Sequence, residues 1–312
     1  MKILKLLLIS LIFGTLHANN IEKYLQKCEN KSDCHGIKNI DFIYLINLDR
    51  RPDRLIEAKN KLDKYNIYPY RFSAMDGSKL SFECLNDVAV KFERGMKPIM
   101  ATTYVKNCDG DSLIKAIHEN AQVGKSYFIH AFAKGGIGCT LSHISILQDA
   151  LNSGYNRIWI MEDDIEFMKD PNIISERVEQ LDALVGKNGW DLLYTDKEKL
   201  KEFSEETDEA IPREVDKSCV YMHRFNFIPN DLTRAAFTKN ISSEFRQVGA
   251  RFGNHSIIIN KPGIIKILNF FKTYHIFGPI DLEYPLTPDI RLFTVTNDIT
   301  STLRVNISNV GG

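Results

Sequence analysis

The segment Arg157-Ile158-Trp159-Ile160-Met161 runs straight into Glu162-Asp163-Asp164. An apolar run of this length with no polar alternation reads as a strand covered on both faces, the kind that parallel sheets carry between layers of helix. Ending such a strand in consecutive acids places charge at its carboxyl end. Open α/β sheets bind ligands in the crevice outside those ends. The pattern therefore predicts an α/β chain, Rossmann-like, with a mostly parallel sheet flanked by helices and a site at residues 162–164. A second pattern agrees. Residues 41–49 read as a buried strand ending in polar residues, and Pro52 starts a helix with Leu55, Ala58, Leu62 and Tyr65 at helical spacing. Tyr68 to Ala74 is the next strand, closed by Met75-Asp76-Gly77. Strand, helix, strand in so short a stretch is a βαβ unit.

The same reading extends along the chain. Gly135-Gly136-Ile137-Gly138 leads into an amphipathic helix through Leu141, Ile144, Leu147 and Leu151. Asp170-Pro171 caps a helix carrying Ile174, Val178, Leu181 and Val185, and Trp190 to Tyr194 is a short strand. His255 to Asn260 is a strand, and Pro262 opens a helix through Ile264, Ile265, Leu268 and Phe271. Residues 80–135 read as connecting structure near a site, with a helix over Ser112–Gln122. Residues 196–217 are charge-rich and read as a solvated loop or exposed helix. No internal repeat is visible, and no linker divides the chain in two.

The amino terminus has a different character. Lys2 and Lys5 precede an apolar stretch from Leu6 to Leu16, and Leu16-His17-Ala18 offers a small residue for cleavage. This is the pattern of a signal peptide or of an uncleaved signal anchor over residues 1–18, with a buried first helix as the alternative. No apolar run reaches the ~18 residues that span a bilayer as a helix. Residues 19–40 read as an extension and 41–312 as one domain. The expected location is exported or membrane-associated through the leader: a secretory lumen in a eukaryote; the periplasm, the medium or an inner-membrane anchor in a bacterium. Forty Lys and Arg balance forty Asp and Glu, which argues against a nucleic-acid partner. Cys28 and Cys34 could close a small disulfide loop. Cys84, Cys108, Cys139 and Cys219 are scattered with no C-x-x-C pair, and Cys139 reads as a buried small residue.

Carboxylates packed as closely as Glu162, Asp163 and Asp164 repel one another, and a divalent cation relieves the repulsion. Alternation along a strand puts Glu162 and Asp164 on one side and Asp163 on the other. The pair could hold one hard cation, with phosphate oxygens and water completing its shell. A solvated acidic turn or a helix N-terminus is the competing reading.

Three blocks in this order resemble glycosyltransferase family 25: Ile43 to Arg54 (IYLINLDRRPDR), Gly138 to His143 (GCTLSH) and Met161 to Asp164 (MEDD). Smaller pieces agree at Ala74-Met75-Asp76-Gly77, Trp190 to Tyr194 and Pro279-Ile280-Asp281, so the resemblance covers roughly residues 41–285. It implies a glycosyltransferase domain of the A-type fold, a UDP-galactose or UDP-glucose donor, Mn2+ or Mg2+, and inversion at the anomeric carbon. The acceptor would be a hydroxyl of a glycan, lipooligosaccharide or glycoprotein. By the same resemblance Glu162 and Asp164 hold the metal, and His255 is either a third ligand or a structural histidine. Asn47, Asp49 and Arg54 line the nucleotide pocket, Asp76 reaches uridine or ribose, and Asp163 belongs to the same donor-binding set. His143 touches the donor or simply packs, while Arg50 and Arg51 face solvent. Asp281 is the general base that takes the acceptor proton, or a turn aspartate after proline. Two other functions stay open: an inactive member that binds glycan or protein, and a nucleotide-sugar hydrolase.

Overall fold

The computed structural model describes residues 20–31, 37–106, 114–197, 201–202, 211–212, 224–228, 234 and 237–302. The expected leader, the Cys28–Cys34 pairing, Cys108, Cys219 and most of the charge-rich stretch after residue 197 lie outside the described residues. Among the described residues no helix is long and apolar enough to cross a membrane.

The first strand, Phe42–Asn47 (β1), is buried along its whole length, and its side chains divide between two cores. Phe42, Tyr44 and Ile46 enter one core; Ile43 and Leu45 enter the other. Helix α1 (Pro52–Asp63) follows, started by its proline, and turns Ala58 and Leu62 into the second core. Strand β2 (Tyr70–Ser73) then pairs parallel to β1, completing the expected unit. A short helix α2 (Phe82–Val88) is capped by the Ser81 hydroxyl, which accepts from Cys84 N.

Strands β3 (Val90–Lys91), β4 (Met100–Lys106), β5 (Ile114–Asn120) and β6 (Ser126–Ile129) form a separate four-stranded sheet in the order β3-β6-β4-β5. The helix expected over Ser112–Gln122 is therefore a strand. Residues 114–120 pair antiparallel with all of β4, from Met100 opposite Asn120 to Lys106 opposite Ile114. The β-branched threonines of β4 favour that ladder over an isolated turn of helix.

Helix α3 (Lys134–Asn152) buries most of its length and supplies Ile137, Leu141, Ile144 and Leu147 to the first core. Strand β7 (Arg157–Glu162) pairs parallel to β1, with Ile46 beside Glu162. After β8 (Ile165–Phe167) and helix α4 (Ile173–Val185) comes β9 (Leu192–Tyr194), and a small pair, β10 (Lys201–Glu202) with β11 (Ile211–Pro212), stands apart. The remaining elements are β12 (Thr238–Asn240), β13 (Phe245–Val248), β14 (Ser256–Asn260), α5 (Lys261–Tyr274), α6 (Ile280–Glu283), β15 (Leu292–Val295) and β16 (Thr300–Thr302).

The main sheet has eight strands in the order β12-β13-β15-β9-β14-β7-β1-β2. Following its pairings strand to strand, six run the same way, while β14 and β13 run against them. It is thus mostly parallel in direction, with one reversed strand wedged beside β7. Helices α3 and α5 pack on one face and α1 and α4 on the other. The carboxyl ends of β1, β2 and β7 meet at one edge of this layer.

Candidate active site

A cleft of about 470 Å³ opens at that edge. Its walls come from the end of β1 (Asn47), the start of α1 (Arg54), the turn after β2 (Met75 to Ser78), the first turns of α3, and the acidic end of β7. The second sheet contributes Tyr104, Ile114 and Ala116. Asn47, Arg54, Asp76, Glu162, Asp163 and Asp164, all singled out from the sequence, therefore share one cavity.

Glu162 is the last residue of β7, and Asp163-Asp164 form the turn into β8. Strand alternation ends with the strand, so all three acids line the cleft, and the expected division of Asp163 from the other two does not occur. Asp163 Oδ2 accepts from Asn47 Nδ2 at 2.7 Å, and its Oδ1 lies 3.4 Å from Arg54 Nη1. Burial raises its carboxyl against the pull of Asn47 and Arg54. Asp164 Oδ1 is buried with no hydrogen-bond partner. Burial, then the charges of Glu162 and Asp163, push its carboxyl up to about 6. An orphaned carboxylate beside two others is the situation a divalent cation corrects. The residues present fit such an ion, and Glu162 and Asp164 are the ones that would hold it.

Glu162 faces the α3 side of the sheet, where His143 Nε2 lies 3.3 Å from its Oε1. Burial would raise the Glu162 carboxyl, yet the His143 hydrogen bond, together with His143, His255 and Arg54, holds it below the ordinary glutamate value. His143 itself is fully buried, its Nδ1 3.3 Å from the Tyr284 hydroxyl. It supports Glu162 from beneath and does not line the cleft.

His255 precedes β14, and its backbone carbonyl accepts from Glu162 N at 2.9 Å. Its ring points elsewhere, with Nε2 3.7 Å from Asp196 Oδ1, and Arg251 pairs with the other oxygen of the same carboxylate. Glu162, Asp164 and His255 thus do not gather as a ligand trio; among the described residues the trio that does is Cys139, His143 and Glu162. Asp49 also stands apart. It is exposed outside the cleft, and the Ser73 hydroxyl and the Arg71 guanidinium, which both donate to it, hold its carboxyl low. Asp76 lies on the rim, where its side chain caps the next turn by accepting from Ser78 N and Oγ. Arg50 faces solvent as expected and also lines the rim, 3.3 Å from Asp76. Arg51 pairs with Asp53 at the surface.

Asp281 opens α6 and accepts from Gly253 N at 3.0 Å. It does not line the cleft, but it is close enough for the Glu162 charge to act on it, and burial raises its carboxyl first of all. Sequence reasoning passed over Tyr104 and Lys134, took Ser142 only as part of the GCTLSH block and read Cys139 as a buried small residue. All four are in the cleft walls, with Cys139 only half-buried there. The ammonium of Lys134 sits 6.0 Å over the Tyr104 ring. A basic residue directly before the glycines that begin α3 was the available signal.

The glycines explain why two of the sequence blocks lie where they do. A Cβ on Gly138 would come within 2.4 Å of Met75 O, and one on Gly77 within 1.9 Å of Lys134 O. Helix α3 and the Met75–Gly77 turn touch backbone to backbone, and Met75 N donates to the Ser142 hydroxyl at 2.8 Å. The wall from the turn after β2 and the wall from α3 are locked to each other in this way.

Comparisons with known proteins give the chain's family. The model for "Glycosyltransferase family 25 (LPS biosynthesis protein)" matches residues 40–282. A Glycosyltransferase 25 family member of Drosophila melanogaster is 30% identical over 183 residues, 59% of this chain and 24% of its own length. One from Aedes aegypti is 29% identical over 166 residues, 53% of this chain and 23% of its own. A mouse protein named inactive glycosyltransferase 25 family member 3 is 26% identical over 174 residues, 55% of this chain and 24% of its own. The chain thus matches about a quarter of the length of each of these relatives. With its blocks folded around one acidic cleft and the family model matching most of its length, the chain belongs to glycosyltransferase family 25.

Proposed function

We propose that this chain moves galactose or glucose from a UDP-sugar to a hydroxyl of a glycan, lipooligosaccharide or glycoprotein, with inversion, on an A-type glycosyltransferase fold. The observation that carries the reading is the unpartnered, buried Asp164 Oδ1 among three acids in the wall of a cleft at the ends of parallel strands. Mn2+ or Mg2+ held by Glu162 and Asp164 would, when bound, neutralise the charge of the donor diphosphate. Arg54 and Asn47 fix Asp163, and Asp76 with Arg50 shapes the rim where the nucleoside would rest. Asp281, raised by burial and carried by a different segment from the ion-binding acids, is the base for the acceptor hydroxyl. His255 serves through its carbonyl on Glu162 and its ring against Asp196, with His143 as a support. Residues 41–312 act as the transferase domain behind the 19–40 extension. The 1–18 leader directs it to an exported or membrane-associated location.

The test is thermal unfolding of the full chain with UDP, with Mn2+ and with both, repeated on Glu162→Ala/Asp164→Ala. Ligand at ~100 times its dissociation constant stabilises the folded state by about 2.7 kcal/mol. A shift that needs both ligands and disappears in the double variant supports the reading. A well-folded wild-type chain with no shift favours a binding module, the reading that relatives named inactive keep alive. Product formation from donor with and without acceptor then separates transfer from hydrolysis.

A further inference from the structure

Behind the acidic rim lies a second group of ligand atoms, of which the proposed transfer uses only the Glu162 carboxylate as a ligand. Cys139 and His143 stand one helical turn apart on α3 and present the same face. Glu162 meets them from the end of β7. The Cys139 sulfur, a ring nitrogen of His143 and a carboxylate oxygen of Glu162 all lie within 4.8 Å of one another. We propose that Cys139, His143 and Glu162 form a site for a thiophilic divalent cation, Zn2+ or Co2+, with the fourth position open to the cleft.

The geometry is close to that of a formed site. Ligands about 2.0–2.1 Å from a tetrahedral ion stand roughly 3.3 Å from each other, and His143 Nε2 is 3.3 Å from Glu162 Oε1. The other ring nitrogen already has its outer partner, the Tyr284 hydroxyl at 3.3 Å, which is how metal-binding imidazoles are oriented. With the sulfur, the ring nitrogen and the carboxylate oxygen all within 4.8 Å of one another, small side-chain shifts complete the set. Cys139 and Glu162 both line the cleft, so the ion has an entry path and room for a fourth ligand. The donor set sorts the metals: thiolate and imidazole suit Zn2+ and Co2+, whereas Mg2+ and Mn2+ prefer oxygen. Burial keeps the Cys139 thiol protonated. Binding therefore displaces one proton to solvent, and the sulfur, imidazole and carboxylate each supply a lone pair. Because Glu162 is also one of the two acids assigned to the donor cation, the two ions exclude one another. That competition, unlike the site itself, rests on the transferase reading.

Cobalt titration of the full chain tests the site. The expected result is a thiolate-to-cobalt charge-transfer band that saturates at one equivalent and is displaced by Zn2+. Cys139→Ser, checked for folding by circular dichroism, loses the band, and Asp164→Asn keeps it. Tyr284→Phe weakens Co2+ binding by roughly 10–100-fold. Absence of the band in the folded wild-type chain, or its survival in Cys139→Ser through other cysteines, overturns the proposal. In a second arm, Zn2+ suppresses the thermal shift given by UDP with Mn2+ in the wild type and not in Cys139→Ser. If UDP with Mn2+ gives no shift at all while the cobalt spectrum is as expected, the transferase reading fails and the metal site stands.

Discussion

Asp164 shows what the cleft costs the molecule before any ligand arrives. Its carboxyl is pushed up to about 6 by burial and by Glu162 and Asp163, so the folded state prefers it protonated. The stability it contributes is full below the ordinary aspartate value of 3.8 and is lost as pH rises through about 6. Asp164→Asn should therefore stabilise the metal-free protein at pH 7 by about 1–3 kcal/mol and change little at pH 3.5, which urea melts at the two pH values will show. The cation needs the charged form. In the wild type, Mn2+ affinity should fall about tenfold per pH unit below 6, one proton being displaced, and calorimetry on Asp164→Asn should find weaker binding with a flatter pH dependence. Asp281→Asn makes a contrasting case. If Asp281 is the base, turnover drops by about 10²–10⁴ while the thermal shift with UDP and Mn2+ is retained. The six residues that share the cleft were legible because strand ends and the turns after them are local features. The histidines were not. His143 shares a face of α3 with Cys139 but is buried against Glu162 and Tyr284, partners distant in the chain, and His255 is set by Asp196, 59 positions earlier in the chain.

At the scale of elements, the contact between α3 and the turn after β2 decides whether the cleft exists. Gly138→Ala would force a Cβ to within 2.4 Å of Met75 O and 2.8 Å of Gly77 N, both backbone atoms that cannot rotate away. Helix α3 must back off, carrying Lys134 and Cys139 with it. We expect a loss of about 1–3 kcal/mol in denaturant melts and a weakened UDP shift, while Gly124→Ala, which meets open space and bears only the strain of its positive φ, should leave the UDP shift intact. Helices α1, α3, α4 and α5 and the strands β1, β2 and β7 were readable because each carries its own helical periodicity or its own apolar run, and some a start signal such as Pro52. The short helices α2 and α6 carried neither periodicity nor apolar run. Strand β5 was not. Ile114, Ala116 and Ile117 permit a helical reading, and only the ladder with β4 makes the segment a strand. Strand β14 was legible as a strand, but its reversed direction was not, because its neighbours β7 and β9 lie 94 and 62 residues before it in sequence at their closest.

Across the whole molecule, the segment 224–228 ties distant parts together beneath Asp281. Phe225 stacks edge-on against Phe277 at 4.9 Å, and Phe227 against Phe270 at 5.4 Å. Between them the Arg224 guanidinium donates to the Glu283 carboxylate and to the carbonyls of Tyr274 and His275. The side chains of Arg224 and Glu283 are both fully buried. Glu283 also accepts from Phe277 N and Gly278 N, each at 2.8 Å, so the pair anchors the turn that leads into α6 and Asp281. A buried ion pair returns little beyond its desolvation cost, but breaking one side strands the other charge. Arg224→Met should therefore destabilise the protein by about 3–5 kcal/mol. In Arg224→Met/Glu283→Gln the stranded charge is gone while the amide oxygen still accepts from the backbone, so much of that loss should return. The comparison is made by denaturant melts of the wild type and the two variants. If Arg224→Met costs less than about 1 kcal/mol, the pair is open to water in solution, and the anchoring of Asp281 must come from the aromatic contacts alone.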